Sequence, residues 1–501
     1  MSAAVPLLAR LDDRLNPILV KEVRQALRGL YFKLTFRFSI LAATCVGVVI
    51  LLSGGGVGAE RLGQPFFIAI YACLAAAVHC FVPFLAFVSM SGEWDENTYD
   101  LLVISDLKPR QIVFGKLLSA GVVAMLHYSA FGPFLVMAFL LRGVDLYGVL
   151  ILIGGSTVYS LVLSAVAIAA STFGRARFAR VATMAGLAGF LIGATGLSIA
   201  AAVGVMEEPE LLRATDFVHV VSGLSLGIVF LGAFAVAVAT SRLAHAEENR
   251  SSELRIVASL LVAAVLLWGA GLAWTMRTPA LLLAPLLVLG FVLLLPFTFF
   301  VTESETLGRR ARRHVSASRL AALFSAPFLP GGGRGLLLFL AVIVIAALCA
   351  SGAFLLNDDP QMPIAEAARA TAVAWSYAVV YLGLSSLVSK GWTSAPKGRI
   401  RARLLVLLAF IGPLFVPSVV GFFAESESLL EMKHAGNPFW MIFLAADSGH
   451  RGQPASSGWI FAAAAAVLLA NMPRMARGVR EVLAASAARQ ERERTGAPAV
   501  P

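Results

Sequence analysis

Among the side chains that are charged or titrate near neutral pH, the sequence places only two deep within apolar runs: His79, and His127 with Tyr128 beside it. An ionisable group in hydrocarbon is costly, so its presence there suggests a function in proton or substrate transfer. The alternative is a neutral histidine that forms a hydrogen bond between two helices. No Asp, Glu, Lys or Arg lies at that depth, which argues against a carrier driven by a proton or sodium gradient.

No residue pattern predicts catalysis, a bound metal or a cofactor. The glycine-rich run Gly331–Gly335 lacks the Lys-Ser/Thr ending with which a P-loop reaches phosphate and magnesium. All four cysteines lie within apolar runs, so neither disulfides nor a zinc site is expected; they are Cys45, Cys73, Cys80 and Cys349. We therefore expect no chemistry on a substrate, and any ATP hydrolysis must come from another protein.

The composition explains why so few polar patterns occur. The chain has 501 residues, of which 59% are apolar and 14% charged, whereas a soluble domain has about 25% charged residues. A soluble globular protein, a disordered chain and a disulfide-stapled secreted domain are thereby excluded. What remains is an all-α polytopic membrane protein.

A membrane-spanning helix needs roughly 20 apolar residues to cross the hydrocarbon core. Twelve runs meet this requirement, approximately at residues 36–56, 65–90, 116–141, 147–173, 181–205, 219–240, 256–275, 279–301, 336–356, 368–389, 404–424 and 457–473. The last run is short and rich in alanine. The sequence thus predicts about twelve membrane-spanning helices.

An even number of spans puts both termini on one side of the membrane. In this topology, 33 of the 40 Lys and Arg residues lie on the side of the termini and the other seven lie on the opposite side. Lys and Arg accumulate in cytoplasmic loops. We therefore expect a multi-pass protein of the inner (plasma) membrane with both termini cytoplasmic, and the net charge of +11 requires no nucleic acid partner.

Residues 16–31 have the pattern of an amphipathic helix. Asn16 suits the N-cap and Pro17 the first helical position. At about 100° per residue, Lys21, Arg24 and Arg28 share one face, opposite a face of apolar side chains. The pattern predicts a helix in the membrane interface, with its cations toward anionic lipid headgroups. It could serve as an anchor for the first span or take part in gating.

The predicted cytoplasmic loop at 91–115 begins with acidic residues and continues as a short apolar helix. Such a helix at the membrane base can dock into a groove of another protein. The residues that we expect to form this contact are Glu93, Glu96, Thr98, Leu101, Leu102 and Ile104. The alternative is an ordinary turn between two spans whose carboxylates are solvated.

These two segments together resemble type-2 ATP-binding-cassette (ABC) permeases. The residues that carry the resemblance are Asn16-Pro17-x-x-x-Lys21-Glu22-x-Arg24-x-x-Leu27-Arg28, Glu93-x-x-Glu96-x-Thr98-x-x-Leu101-Leu102 and Leu107-x-Pro109-x-Gln111-Ile112-x-x-Gly115-Lys116-Leu117-Leu118. The first of these three strings is similar to the family's connecting helix. The second and third, from the loop at 91–115 and the residues directly after it, are similar to the family's coupling-helix region. The resemblance implies a permease, typically of an exporter, whose coupling loop receives the motion of a separate ATPase subunit.

The family unit has six spans, so the resemblance divides the chain into residues 1–250 and 251–501, the latter ending in a basic cytoplasmic tail at 474–501. Thr302-Glu303-Ser304-Glu305 after the eighth run is placed like the acidic residues after the second. The segment 437–446 is apolar but too short to span, which favours a re-entrant or interfacial helix. The second half is then a diverged repeat, or else six unrelated spans, and a second permease chain could complete the transporter.

Two other classes remain open. The stretch 307–313, Leu-Gly-Arg-Arg-Ala-Arg-Arg, lies where twelve-span secondary transporters of the major facilitator type carry a Gly/Asp/Arg-rich motif. Its Asp is missing, and basic residues are expected there from orientation alone. A membrane scaffold without transport activity is the third class.

The predicted topology can be tested on the only long outside loop, residues 425–456. A cysteine introduced there, in a variant without the native cysteines, should react with a membrane-impermeant maleimide added to intact cells. A cysteine within residues 241–255 should react only after permeabilisation, because that segment is predicted to be cytoplasmic. The reverse labelling pattern would contradict the topology.

Overall fold

The structure is a computed structural model that describes residues 17–53, 62–95, 108–173, 177–208, 215–244, 249–313, 315–356, 364–392 and 455–495, together with the single positions 403, 438, 441, 442 and 445. The described residues are almost entirely helical and contain no strand. The chain divides into two compact units, Met1–Ala244 and His245–Pro501. We describe each unit by itself.

The helices of the first unit are α1 Pro17–Arg28, α2 Leu30–Ser53, α3 Gly63–Ala75, α4 Val82–Asp95, α5 Pro109–Leu140, α6 Leu146–Ser171, α7 Arg177–Glu207 and α8 Thr215–Leu243. A π-helical turn, Ala76–Phe81, joins α3 to α4 into one long span. Half of that span is buried, against 17% of α2. The α3–α4 span is therefore the centre of the unit, and the fully buried Phe66, Phe67 and Ile70 belong to it.

The helices of the second unit are α9 Ser252–Thr275, α10 Leu283–Val292, α11 Leu294–Val301, α12 Arg309–Arg313, α13 Arg319–Ser325, α14 Gly332–Leu355, α15 Ile364–Trp392 and α16 Ala455–Thr495. Its most buried span is α15, of which 67% is inside. Trp375 of α15 is buried and donates its indole N–H to the carbonyl of Leu286, 3.1 Å away. This bond satisfies the one polar atom of a large core side chain.

Among the described residues, ten helices are long and apolar enough to cross a membrane, and the bent pair α10 and α11 would make an eleventh span with a 45° break. They occupy eleven of the twelve runs predicted from the sequence. The predicted run at 404–424 lies outside the described residues, as does nearly all of the predicted re-entrant segment at 437–446. The chain is thus a multi-pass helical membrane protein in the part that the structure describes.

The last predicted span, 457–473, and most of the basic tail predicted after it belong to one helix, because α16 continues for 41 residues and ends at Thr495. Pro473 does not interrupt it. The reason is tertiary, because the part of α16 beyond Pro473 buries Val482 against the segment between α11 and α14.

Glycines allow α14 to approach its neighbours closely. A Cβ at Gly335 would lie 2.8 Å from the backbone carbonyl of Phe300 in α11, and one at Gly333 would lie 2.6 Å from the carbonyl oxygen of Arg474 in α16. Gly331, which precedes α14, has a φ of +144°, which side chains with a Cβ rarely adopt. The run that lacks a P-loop ending therefore has a packing function at the start of α14.

Substituting two glycines of this one helix should give opposite results. Gly335→Ala should destabilise the protein by about 1–3 kcal/mol, because backbone atoms cannot easily give way to the added methyl group. Gly352→Ala should be neutral or stabilising by up to about 1 kcal/mol, since nothing lies within 4 Å of the position and alanine favours the helix. Thermal unfolding of the purified protein in detergent measures both. Equal melting temperatures for the two variants would contradict the packing at Gly335.

Candidate functional site: an ion-pair cluster beside residues 96–107

Lys116, in the second turn of α5, is the centre of a buried ion-pair cluster. Only 2% of the residue is exposed. Its ammonium group donates to Glu22 Oε1 at 2.7 Å and to Ser89 Oγ at 2.8 Å, and it lies 3.5 Å from Glu93 Oε1. An ammonium group has three N–H donors, and these contacts provide an acceptor for each of them. The desolvation cost of the buried cation is therefore offset by direct partners.

Glu22 brings α1 into the cluster. The residue is 6% exposed, and both of its carboxylate oxygens are occupied, since Ser89 Oγ donates to Oε2 at 2.6 Å. In α1 the stripe that faces the bundle consists of the buried Ile18 and Glu22 and the partly buried Ala26, four residues apart each time. This stripe follows the border between the two predicted faces, so a polar/apolar division alone does not identify the side of α1 that faces the bundle.

The cations of the predicted interfacial helix have different environments. Lys21 donates to Glu93 Oε1 at 3.1 Å with half of its side chain exposed. Arg24 and Arg28 are exposed, and so is the apolar Leu27. Exposed cations next to exposed apolar side chains are what a helix in a membrane interface presents, and this location of α1 stays a prediction.

Glu93, in the last turn of α4, completes the cluster. It is 7% exposed and accepts hydrogen bonds from Lys21 and Lys116. Two lysines thus face Glu22 and Glu93, and the formal charges of these four residues cancel. Glu93 is the one predicted contact residue of the 91–115 loop that the structure describes, and its partners here are within the chain. The other five, Glu96, Thr98, Leu101, Leu102 and Ile104, lie outside the described residues.

The cluster fixes both ends of the segment 96–107. One end continues from α4, two residues after Glu93, and the other enters α5, where Pro109 occupies the first helical position and the Gln111 side chain accepts the backbone N–H of Lys108 at 2.9 Å. α1 packs along α5 and contributes Glu22 between the two ends. α1, the end of α4 and the start of α5 are therefore joined by one network of charged contacts.

A cavity of about 200 Å³ lies beside the cluster. Residues of α1, α2, α4 and α5 line it, and most of them are apolar, among them Phe32, Val82, Leu85 and Val123. Glu22, Ser89 and Lys116 also border the cavity. The cluster therefore borders an open apolar space on the side where α1 and α2 meet the bundle.

His79 lies in the π-helical turn between α3 and α4 and is fully buried. Its Nε2 is 2.9 Å from Ser156 Oγ on α6, and Tyr128 Oη shares the same Ser156 hydroxyl at 2.7 Å. Ser160 Oγ donates to the carbonyl of Val78 at 2.7 Å, which satisfies a backbone group in the turn. This geometry is that of a hydrogen bond between helices.

His127 is also buried, and its Nδ1 lies 2.9 Å from the carbonyl of Val123 one turn earlier in α5. Phe32 and Phe36 of α2 contact the ring edge-on. Within the described residues, its Nε2 has no hydrogen-bond partner. The two histidines lie on different helices and no contact between them is observed, so the structure gives them no common site.

Three residues of the cluster, Glu22, Ser89 and Lys116, were not among the predicted site residues. Glu22 and Lys116 are 94 positions apart, so no local spacing indicates their pairing. The available signal was the position of Lys116, at the very edge of an apolar run where a cation must find a partner or reach water. Among the described residues, no group of His, Cys, Asp and Glu is arranged to hold a metal ion.

The second unit has its own cluster, centred on buried arginines. Arg255, at the start of α9, is fully buried and donates to Glu303 Oε2 at 2.7 Å. It also donates to the carbonyls of Pro327, Leu329 and Gly331. The planar guanidinium group, with five N–H donors, can satisfy such a divergent set of acceptors. Arg255 thereby holds the segment between α11 and α14 against α9.

Two further arginines connect this segment to α16. Arg334, in the first turn of α14, donates to the carbonyl of Glu305 at 2.8 Å and to Glu481 Oε2 at 3.2 Å. Arg474 of α16 pairs with the Glu305 carboxylate and donates to Ser386 Oγ of α15 at 2.7 Å. The ends of α9, α11 and α14 and the middle of α16 therefore meet at one end of the second unit.

No family model, curated protein or solved structure matches this chain. The class that the fold defines is that of a multi-pass, all-helical membrane protein with a buried ion-pair cluster in each of its two units.

The Lys116 cluster predicts unequal effects for its two lysines. Lys116→Met should cost about 3–5 kcal/mol of stability, because it leaves two buried carboxylates with one half-exposed partner. Lys21→Met should cost at most about 1 kcal/mol, since that ion pair is partly solvated. Denaturant titration of the purified protein measures both free energies of unfolding.

The double variant Glu22→Leu with Lys116→Met is the control for this prediction. The double variant should cost less than the sum of Glu22→Leu alone and Lys116→Met alone, because removing both charges leaves neither Glu22 nor Lys116 buried without its partner. Additive losses, or equal losses for Lys21→Met and Lys116→Met, would contradict the assignment of Lys116 as the centre.

Proposed function

We propose that the chain is the membrane-spanning permease subunit of an ABC exporter, located in the inner (plasma) membrane with both termini cytoplasmic. A separate ATPase subunit binds the segment 96–107 and supplies the energy. Transport of this kind needs no catalytic residue in the permease. The family unit has six spans, so a second permease chain or residues 251–501 would complete the pathway.

The observation that carries this proposal is the Glu22–Lys116–Glu93 cluster. A coupling segment must be joined rigidly to the spans that it moves, or the motion would be absorbed where it is received. Here both ends of the segment are tied by buried charges to a third helix that lies outside the predicted spans. Breaking such a pair is costly, about 3–5 kcal/mol, so α1, the end of α4 and the start of α5 move as one body.

The proposed transmission also gives α1 a defined function. A helix that was only an anchor would need apolar contacts with the bundle, as Ile18 provides. Glu22 adds a charged contact to the centre of the cluster, and Lys21 adds a second one to Glu93. Because these contacts would couple α1 to the loop, they favour a function in gating over a function in anchoring alone.

The proposal predicts that the segment 96–107 holds the ATPase. The full chain, affinity-tagged and purified from its own membranes, should bring with it a vanadate-sensitive ATPase activity. Glu96→Ala with Leu102→Ala should remove most of that activity, since one central contact residue contributes about 2 kcal/mol to an interface, roughly thirtyfold in affinity. The twelve predicted spans should remain folded.

The matched control changes the same residue types in the second unit, Leu356→Ala directly after α14 with Glu366→Ala in the first turn of α15. This variant should retain the ATPase. Equal retention by both double variants would show that the segment 96–107 is not the contact. A purified chain that transports in liposomes without ATP, driven by an imposed ion gradient, would overturn the proposal in favour of a secondary transporter.

A further inference from the structure

The segment between α11 and α14 folds against the C-terminal half of α16. Its buried side chains form a small apolar cluster with Val482 of α16; they are Leu307, Ala311, Val315, Ala322, Ala326 and Leu329. Glu481 accepts the backbone N–H of Leu307 at 2.9 Å and the Arg312 guanidinium at 3.0 Å. Arg489 donates to the carbonyl of Val315 at 2.8 Å. One side of the segment is therefore covered by the chain itself.

The opposite side of α13 is apolar, and no residue in the described part of the chain covers it. In α13, Leu320 is 71% exposed, Leu323 46% and Phe324 78%, whereas Ala322 is fully buried toward α16. At about 100° per residue, the first three side chains point away from Ala322 and share one face. Three bulky apolar side chains on one face of a seven-residue helix are too many for a surface that meets only water.

The charged residues within the segment 306–326 are all of one sign. The residues from 306 to 326 include five arginines and no Asp or Glu; the arginines are Arg309, Arg310, Arg312, Arg313 and Arg319. One of them, Arg312, pairs with Glu481. Arg319 is exposed at the start of α13, beside the apolar face. Such a combination of cations and apolar side chains is complementary to an anionic lipid surface.

The position of α13 between two apolar spans also favours lipid as its partner. α11 ends at Val301 and α14 begins at Gly332, and both belong to apolar spans, so the segment connects two helices at the end of the same bundle. A protein partner that matched this face would have to be acidic as well as apolar, and it would have to bind close to the bilayer. A bilayer that contains the two flanking spans would lie beside α13 without any further partner.

We propose that α13 lies on an anionic membrane leaflet, with Leu320, Leu323 and Phe324 in the acyl-chain boundary and Arg313 and Arg319 at the level of the headgroups. The contact is independent of the ATPase proposed for the segment 96–107.

The test measures the depth of α13 in a bilayer. The full chain, with its four native cysteines replaced by alanine, receives Phe324→Cys and a fluorescent maleimide, and it is reconstituted into nanodiscs that contain doxyl-labelled lipid. In discs with phosphatidylglycerol the lipid should quench the label strongly. The control, Ala488→Cys on the exposed side of α16, should stay unquenched. Leu320→Cys serves as a second labelling site.

Charge variants separate the contribution of the arginines. A basic side chain near an anionic leaflet contributes about 1 kcal/mol, which is about fivefold in an equilibrium constant. Arg313→Gln with Arg319→Gln should therefore abolish most of the difference in quenching between discs with and without phosphatidylglycerol. Arg492→Gln with Arg494→Gln, near the end of α16, should leave it unchanged.

Two outcomes would overturn the proposal. A label at 324 that is unquenched with both lipid mixtures places α13 away from the membrane, and the face is then free for a protein. Quenching that is equal with and without phosphatidylglycerol shows that the leaflet need not be anionic.

Discussion

A charged side chain that leaves water near the end of a membrane-spanning helix needs a partner of opposite charge, since an unpaired buried ion costs several kcal/mol. Lys116 finds such partners in Glu22 and Glu93, and it also donates a hydrogen bond to Ser89. The second unit meets it at three arginines, each of which reaches a glutamate. The positions of the surrounding helix ends follow from these pairings, because the partners come from elements far apart in the sequence.

The helices outside the predicted spans owe their positions to the same constraint. α1 is held against α4 and α5 by Glu22, and the extension of α16 is held against the segment between α11 and α14 by Glu481 and Arg489. Apolar contacts contribute in both places, through Ile18 and through Val482. The charged contacts fix the direction and register of the helices, because a hydrogen-bonded ion pair tolerates little displacement.

The two units use the same kinds of residue in corresponding places. Glu93 lies in the last turn of the second span of the first unit, and Glu303 lies just after the second span of the second unit. Lys116 is in the second turn of the helix that comes next, and Arg334 is in the first turn of its helix. The third partner differs, since it comes from α1 in one unit and from α9 and α16 in the other. This parallel agrees with the predicted repeat. In the second unit, α16 covers one side of the segment between α11 and α14.

The sequence by itself determined the class of protein and the positions of most spans, because a run of about twenty apolar residues is a local property that water and lipid act on directly. It did not determine the cluster, since nothing in the spacing of Glu22 and Lys116 indicates that they meet. It did not predict that α16 continues beyond Pro473, where Val482 packs against the apolar side of a segment far earlier in the chain. From the sequence, Gly331–Gly335 could only be recognised as a run that is not a P-loop. The tertiary structure shows that its glycines allow α14 to approach two other helices closely. In each case the deciding contact joins distant parts of the chain, and only the folded chain brings them together.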